Sequence, residues 1–125
     1  MTDSSYLIDS SIWISYFLAD PEEVKKILEE STKAFTSSLT LFEVKKKILQ
    51  KKLSKDEVET ALAIMAKKGS FLIPTLEICN LAAELSIQHN LAAMDALIYA
   101  TAQHHKLILV TGDNDFRKLK DVKII

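Results

Sequence analysis

Leu107-Ile-Leu-Val110 is a short apolar run with a helical pattern directly ahead of it and the turn Thr111-Gly-Asp-Asn-Asp115 directly behind it. Such a run reads as a buried strand. A helix that passes at once into a strand runs antiparallel to it, so the first turn of the helix and the far end of the strand share one edge of a sheet. The stretch from Ala93 to Phe116 therefore brings Asp95, near the start of the helix, close to Asp113, just past the strand. Carboxylates held near one another repel. Pairs of this kind mark a bound cation, a shared proton or an acid–base couple.

The rest of the chain supplies more strands of the same sort. Tyr6-Leu7-Ile8 reads as a first strand ending at Asp9, with Ile12, Trp13, Tyr16 and Phe17 at helical spacing after it. Asp20-Pro21-Glu22-Glu23 gives a cap, a proline at the first helical position and acids in the first turn of a helix reaching about Glu30. Ala34 to Ser37 is a weaker strand anchored by Phe35, followed by a helix from about Leu39 to Lys52. In that helix Leu41, Val44 and Ile48 share the inward side, flanked by Phe42 and Leu49. Ser54-Lys-Asp-Glu57 is a capping box opening a helix with Val58, Leu62 and Met65 inward, ending near Gly69. Phe71-Leu72-Ile73 reads as a third strand. Thr75 caps a helix carrying Leu76, Cys79, Ala82, Ala83 and Leu85, which Asn90 ends in a left-handed conformation. Val122 to Ile124 is a short last strand. Strands separated by helices imply an α/β fold, with a mainly parallel sheet covered on both faces. No linker or internal repeat divides residues 1–125, which read as a single domain.

Composition narrows the function. Hydrophobic residues make up 48% and charged residues 26%, an ordinary globular balance, and the formal net charge is -1. Nucleic acid would therefore have to be gripped by local patches rather than by a global basic field. The two glycines, Gly69 and Gly112, are too few for a P-loop or dinucleotide cradle, so no nucleotide cofactor is expected. No apolar run is long enough for a membrane span, and the first residues lack a signal-peptide pattern. The lone Cys79 reads as a small core residue in a reducing compartment, and the expected location is cytoplasmic.

In parallel α/β sheets ligands sit beyond the carboxyl ends of the strands, where strand order reverses. Asp9, Glu43, Asp95 and Asp113 all belong at that edge, with Asp115 within reach. Each has a bland explanation. Asp9 would serve as a helix cap. Glu43 would complete a capping box with Thr40 or pair with Lys47. Asp95 would favour a helix N-terminus, and Asp113 and Asp115 would be turn residues. Four separate caps need not fall at one edge, however, and these motifs contain no arginine or lysine of their own to neutralise the acids. Carboxylates without nearby histidine or cysteine favour a hard cation, Mg²⁺ or Mn²⁺. Such a cation activates water for in-line attack on a phosphodiester and offsets charge on the phosphoryl oxygens. His89, His104 and His105 lie at helix ends without ligand spacing to the acids and read as surface residues.

These segments resemble a known family. Leu7-Ile-Asp-Ser-Ser-Ile-Trp-Ile-Ser-Tyr-Phe17, Glu43 after Ser38-Leu-Thr40, Leu91-Ala-Ala-Met-Asp-Ala-Leu-Ile98 and Leu109-Val-Thr-Gly-Asp-Asn-Asp-Phe116 look like the four signature segments of PIN domains. The likeness is to the VapC-type ribonuclease toxins of toxin–antitoxin pairs. It implies a three-layer α/β/α sandwich with a sheet of four to five strands. It also implies Mg²⁺ or Mn²⁺ at Asp9, Asp95 and Asp113, with Glu43 as the fourth catalytic acid. Ser11 and Thr111 match its hydroxyl positions, and Asp115 a frequent extra acid. Endonucleolytic cleavage of RNA, a homodimer and a cognate antitoxin follow as implications. One position departs: Ala92 stands where a serine or threonine cap is common.

Lys45, Lys46, Lys47, Lys51 and Lys52 would contact RNA phosphates or simply form a solvated helix face. Other readings are a catalytically silent PIN-like RNA- or protein-binding module and a PIN nuclease of RNA processing rather than a toxin. A phosphoacceptor signalling domain would need an aspartate after the third strand, where Ile73-Pro74-Thr75 stand.

Overall fold

The structure, a computed structural model, describes residues 5–30, 33–68 and 70–125. Five strands among them form one sheet: β1 (Tyr6–Ile8), β2 (Ala34–Ser37), β3 (Ser70–Leu72), β4 (Ile108–Thr111) and β5 (Val122–Ile124). The order is β3-β2-β1-β4-β5, and every pairing is parallel. The order reverses between β1 and β4, so the crevice at the strand ends opens there.

Among the described residues six α-helices cover the sheet: α1 (Ser10–Leu18), α2 (Glu22–Glu30), α3 (Ser38–Gln50), α4 (Lys55–Lys68), α5 (Leu76–His89) and α6 (Ala93–His104). The pleat divides the core into layers. Ile8 and Val110 pack with Ile12, Trp13, Val44 and Ile48 of the α1–α4 face. Leu7 and Leu109 point the other way and pack with Ile98, Tyr99 and Ala102 of α6, together with Phe116. Alternate residues of one strand thus feed two cores, as a period of two requires. A third small cluster, Ile78 and Ala82 against Ala96 and Ala100, joins α5 to α6. The result is the three-layer α/β/α sandwich.

Local signals mostly hold. Ser54 and Glu57 exchange bonds to each other's backbone N–H at 3.1 and 3.0 Å, which is the capping box. Thr75 accepts from Ile78 N at 3.3 Å, and Asn90 is left-handed at φ 54. At the start of α2 the cap shifts by one residue. Asp20 adopts φ 47 and closes α1, while the Pro21 carbonyl takes the first bond of α2, from Lys25 N. β3 and β4 lie one residue away from the expected runs. α4 ends at Lys68, and Gly69 lies outside the described residues.

Helix faces differ more. The capping box expected at Thr40 and Glu43 is absent: α3 starts earlier, with Ser37 accepting from Leu39 N, and the buried Thr40 hydroxyl is left without a partner among the described residues. Phe42 and Leu49 face solvent at 60% and 54% exposure, although their spacing suggested flanks of the core. On α5 the buried arc is Ile78 and Ala82. Leu76 is 87% exposed, and Cys79 is a surface thiol rather than a core residue. In β2 the deepest side chains are Thr36 and Ser37, while Phe35 is only half-buried.

Thr36 is buried for a reason. Its Oγ1 accepts from the Trp13 indole Nε1 at 3.2 Å, tying α1 to the sheet. Thr36→Val strands that buried donor, so urea titration should show a stability loss of about 1–3 kcal/mol. Thr36→Ser should lose less, since the acceptor remains. Equal midpoints for wild type and Thr36→Val would mean that the indole does not depend on this bond.

Candidate metal centre

β1 ends one residue before Asp9, so the carboxylate leaves the sheet at the crevice. Its backbone N–H bonds the Val110 carbonyl at 3.0 Å, continuing the pairing with β4 to the edge. Asp9 occupies the cap position of α1, but its side chain makes no capping bond. It is held instead by two hydroxyls. Thr111 Oγ1 donates to Asp9 Oδ2 at 2.7 Å, and Ser11 Oγ donates to the same oxygen at 3.3 Å.

The direction of those bonds is imposed by the backbone. Gly112 N donates to Ser11 Oγ at 2.9 Å, and Asp113 N donates to Thr111 Oγ1 at 3.0 Å. A hydroxyl owns one proton. With a lone pair of each occupied by a backbone N–H, both protons are free to turn toward Asp9. The turn after β4 therefore orients the carboxylate at the end of β1 through two side chains.

The same turn carries two more acids. Asp113 Oδ1 accepts from Asp115 N at 2.9 Å, which caps the short 3-10 turn Asn114–Phe116. Asp95 stands in the first turn of α6, whose cap, Ala92, offers no side-chain bond. Carboxylate oxygens of Asp95, Asp113 and Asp115 lie within 4.8 Å of one another. Asp9 falls outside that tightest group, whereas the sequence reading put Asp9, Asp95 and Asp113 together and Asp115 in an auxiliary place. Asp9, Glu43, Asp95 and Asp113 nevertheless line one concavity of about 570 Å³, with Lys46 and Lys47 on its α3 wall.

Electrostatics expresses the crowding. Burial raises the Asp9 pKa; bonds from Thr111, Ser10 and Ser11 oppose this, and Asp113 adds repulsion. Burial also raises Glu43, with Asp9 and Asp95 repelling it and the Ser10 side chain holding it by a hydrogen bond. Asp95 is raised by burial first, then by Asp113, Asp9 and Asp115. Among the described residues none of these carboxylates forms an ion pair with lysine or arginine. Neither bland reading of Glu43 survives, since it neither completes a capping box nor pairs with Lys47. The donor set is all oxygen and strongly negative, which fits a hard divalent cation.

None of the histidines lines the acidic concavity. His104 approaches Glu77 at 3.6 Å and stacks edge-on with His105. His89 packs against Tyr99 and lines a separate hollow beside Asp115, Arg117 and Lys118. Two contributors escaped the sequence reading. Ser10 holds Glu43, and no spacing rule announces that contact. Phe42 stands at the lip of the acidic concavity. An aromatic directly before an edge acid was the available signal.

The PIN domain family profile matches residues 6–122. No curated protein matches by sequence. Among solved structures, a toxin–antitoxin complex from Klebsiella pneumoniae is 28% identical, with a TM-score of 0.80 over 95% of this chain and 96% of that one. VapBC2 from Rickettsia felis, bound to a DNA fragment from its promoter, shares the fold at 18% identity and a TM-score of 0.80, over 96% of both chains. VapC20 from Mycobacterium tuberculosis, a sarcin-ricin loop cleaving toxin, shares it at 20% identity and a TM-score of 0.71, over 93% of this chain and 95% of that one.

The three raised carboxyls bind protons more tightly in the folded chain than in the unfolded one. Their stabilising contribution is complete below the unfolded values, near pH about 4, and is lost as pH rises through the raised values. Asp9→Asn removes one such charge and keeps an acceptor for Thr111. In EDTA at neutral pH it should melt at the same temperature as wild type or higher, with a shallower decline from acid to neutral pH. Mn²⁺ should raise the melting temperature of wild type and not of the variant. A clear fall in the EDTA melting temperature would instead mean that the ionised carboxylate, held by Thr111 and Ser11, stabilises the metal-free fold.

Proposed function

This chain belongs to the PIN domain family, and on that premise we propose that it is a Mg²⁺- or Mn²⁺-dependent endoribonuclease, the toxin of a toxin–antitoxin pair. Residues 1–125 act as a single PIN-like domain in this reading. The observation that carries it is the gathering of acids from four segments at the sheet crevice, with no lysine or arginine ion pair to them among the described residues. The likeness to the Klebsiella pneumoniae toxin–antitoxin complex at 28% identity supports the biological class, and VapC20, a sarcin-ricin loop cleaving toxin, shares the fold.

Asp95, Asp113 and Asp9 are the proposed ligands, and the convergence of Asp115 on the first two makes it a fourth candidate. When bound, the cation supplies a water of lowered pKa and positive charge for the phosphoryl oxygens. Ser11 and Thr111 hold Asp9 in its orientation. Glu43 positions the attacking water or takes its proton; its raised pKa moves it toward the range where a base works near neutral pH. Lys46 and Lys47 meet the RNA phosphates that the acids alone would repel.

The proposed partners are an RNA substrate, a second copy of the chain and a cognate antitoxin that covers the acids. The proposed setting is the cytoplasm, and no described helix is long and apolar enough to cross a membrane. A small upstream reading frame encoding a DNA-binding fold with a flexible tail would support the toxin class.

Wild type in Mg²⁺ or Mn²⁺ should cleave single-stranded or looped RNA on a gel. EDTA should stop it, and Asp95→Asn should lower the rate by about 100-fold or more with an unchanged fold by circular dichroism. Full metal-dependent activity in Asp95→Asn would remove that residue from the assignment.

A further inference from the structure

We propose that Phe42 and the apolar groove beside it form a base-stacking subsite for an unpaired nucleotide next to the scissile phosphate. This rests on the ribonuclease reading and extends it from the metal centre to the substrate.

α3 is anchored inward by Val44 and Ile48, both fully buried. Helical periodicity then sends Phe42, Lys45, Lys46 and Leu49 to the outward arc, at i, i+3, i+4 and i+7. With Gln50 they line a concavity of about 450 Å³. Phe42, Lys46 and Gln50 also line the acidic concavity, so the two hollows share a wall. Phe42 is 60% exposed and is the sequence neighbour of Glu43, which places an open aromatic ring at the rim of the acids. Lys46 Nζ lies 5.9 Å from the ring centroid.

The make-up of this surface selects its occupant. Two exposed apolar side chains stand among lysines, so the patch pairs an apolar platform with cationic flanks. A nucleotide has the matching parts: a base with a π face and, beside it, a phosphate. Bases stack on aromatic side chains without regard to sequence while the phosphates meet lysines. The continuity of the groove with the acidic concavity lets one strand lie in both. Only a base released from its helix can lie on the ring, so the subsite favours loops and single strands over duplex.

Phe42→Ala, Phe42→Trp and Lys46→Ala separate the contributions, and the exposure of both positions spares the core. Binding of a short unpaired oligoribonucleotide to the full chain is measured in Ca²⁺. Phe42→Ala should weaken it by at least about fivefold, and Phe42→Trp should keep it, with the new indole emission quenched by RNA. An oligonucleotide abasic at the stacking position should bind wild type and Phe42→Ala equally. Lys46→Ala should lower the slope of log affinity against log salt by about one, which Phe42→Ala should not. In Mg²⁺ the loss in Phe42→Ala should appear in KM for looped RNA and leave kcat nearly unchanged. Unchanged affinity of Phe42→Ala for unpaired RNA overturns the proposal and leaves the groove to a protein partner. If wild type binds RNA through Phe42 but never cleaves it with any divalent cation, the nuclease reading fails while the subsite stands.

Discussion

Mutual repulsion among carboxylates is the constraint around which this molecule is arranged. Asp9, Glu43, Asp95 and Asp113 would separate in an unfolded chain. The fold holds them at one concavity because β1 and β4 are neighbours and because α3 and α6 both begin at the same sheet edge. The core supplies the opposing force: Leu7, Ile8, Leu109 and Val110 are fully buried directly behind the acids. Hydrophobic burial of this kind, about 1.5–3 kcal/mol per large side chain, is strong enough to keep charges in an unfavourable arrangement. The pKa values of Asp9, Glu43 and Asp95 are raised first by burial, and repulsion among the acids adds to it. A divalent cation would relieve it, coupling binding to stability.

Asp9, Asp95 and Asp113 could be located from sequence because each sits at the boundary of an element with strong punctuation, whereas Glu43 lies a turn inside α3. β1 is a compact apolar run ending at Asp9, and β4 is a similar run two residues before Asp113. α6 follows the left-handed Asn90, so Asp95 falls in its first turn. Parallel topology then puts all of them at one edge. The finer arrangement was out of reach. That Asp115 converges with Asp95 and Asp113 more closely than Asp9 does depends on the 3-10 turn at Asn114–Phe116, a matter of a few dihedral angles that spacing does not encode.

Helix faces were harder to read, for a different reason. α3 carries apolar residues at Leu39, Leu41, Phe42, Val44, Ile48 and Leu49, nearly all the way round. Periodicity alone cannot say which arc is buried. Packing against α1 and the sheet selects Val44 and Ile48 and leaves Phe42 and Leu49 outside. α5 repeats the lesson: Ile78 and Ala82 win the interface with α6, turning Cys79 and Leu76 to solvent. An apolar surplus on an outward arc is thus the residue of a tertiary choice, and here it borders the acids.

The bonds from Gly112 and Asp113 through Ser11 and Thr111 to Asp9 join residues roughly a hundred positions apart. During translation the two halves of this arrangement are made at opposite times. A growing polypeptide on the ribosome carries Asp9 and Glu43 early, yet it has no β4 for β1 to lie against and no turn to aim the first carboxylate. The orientation of Asp9 is therefore a late product of synthesis, set only once the turn after β4 exists to reach back to it.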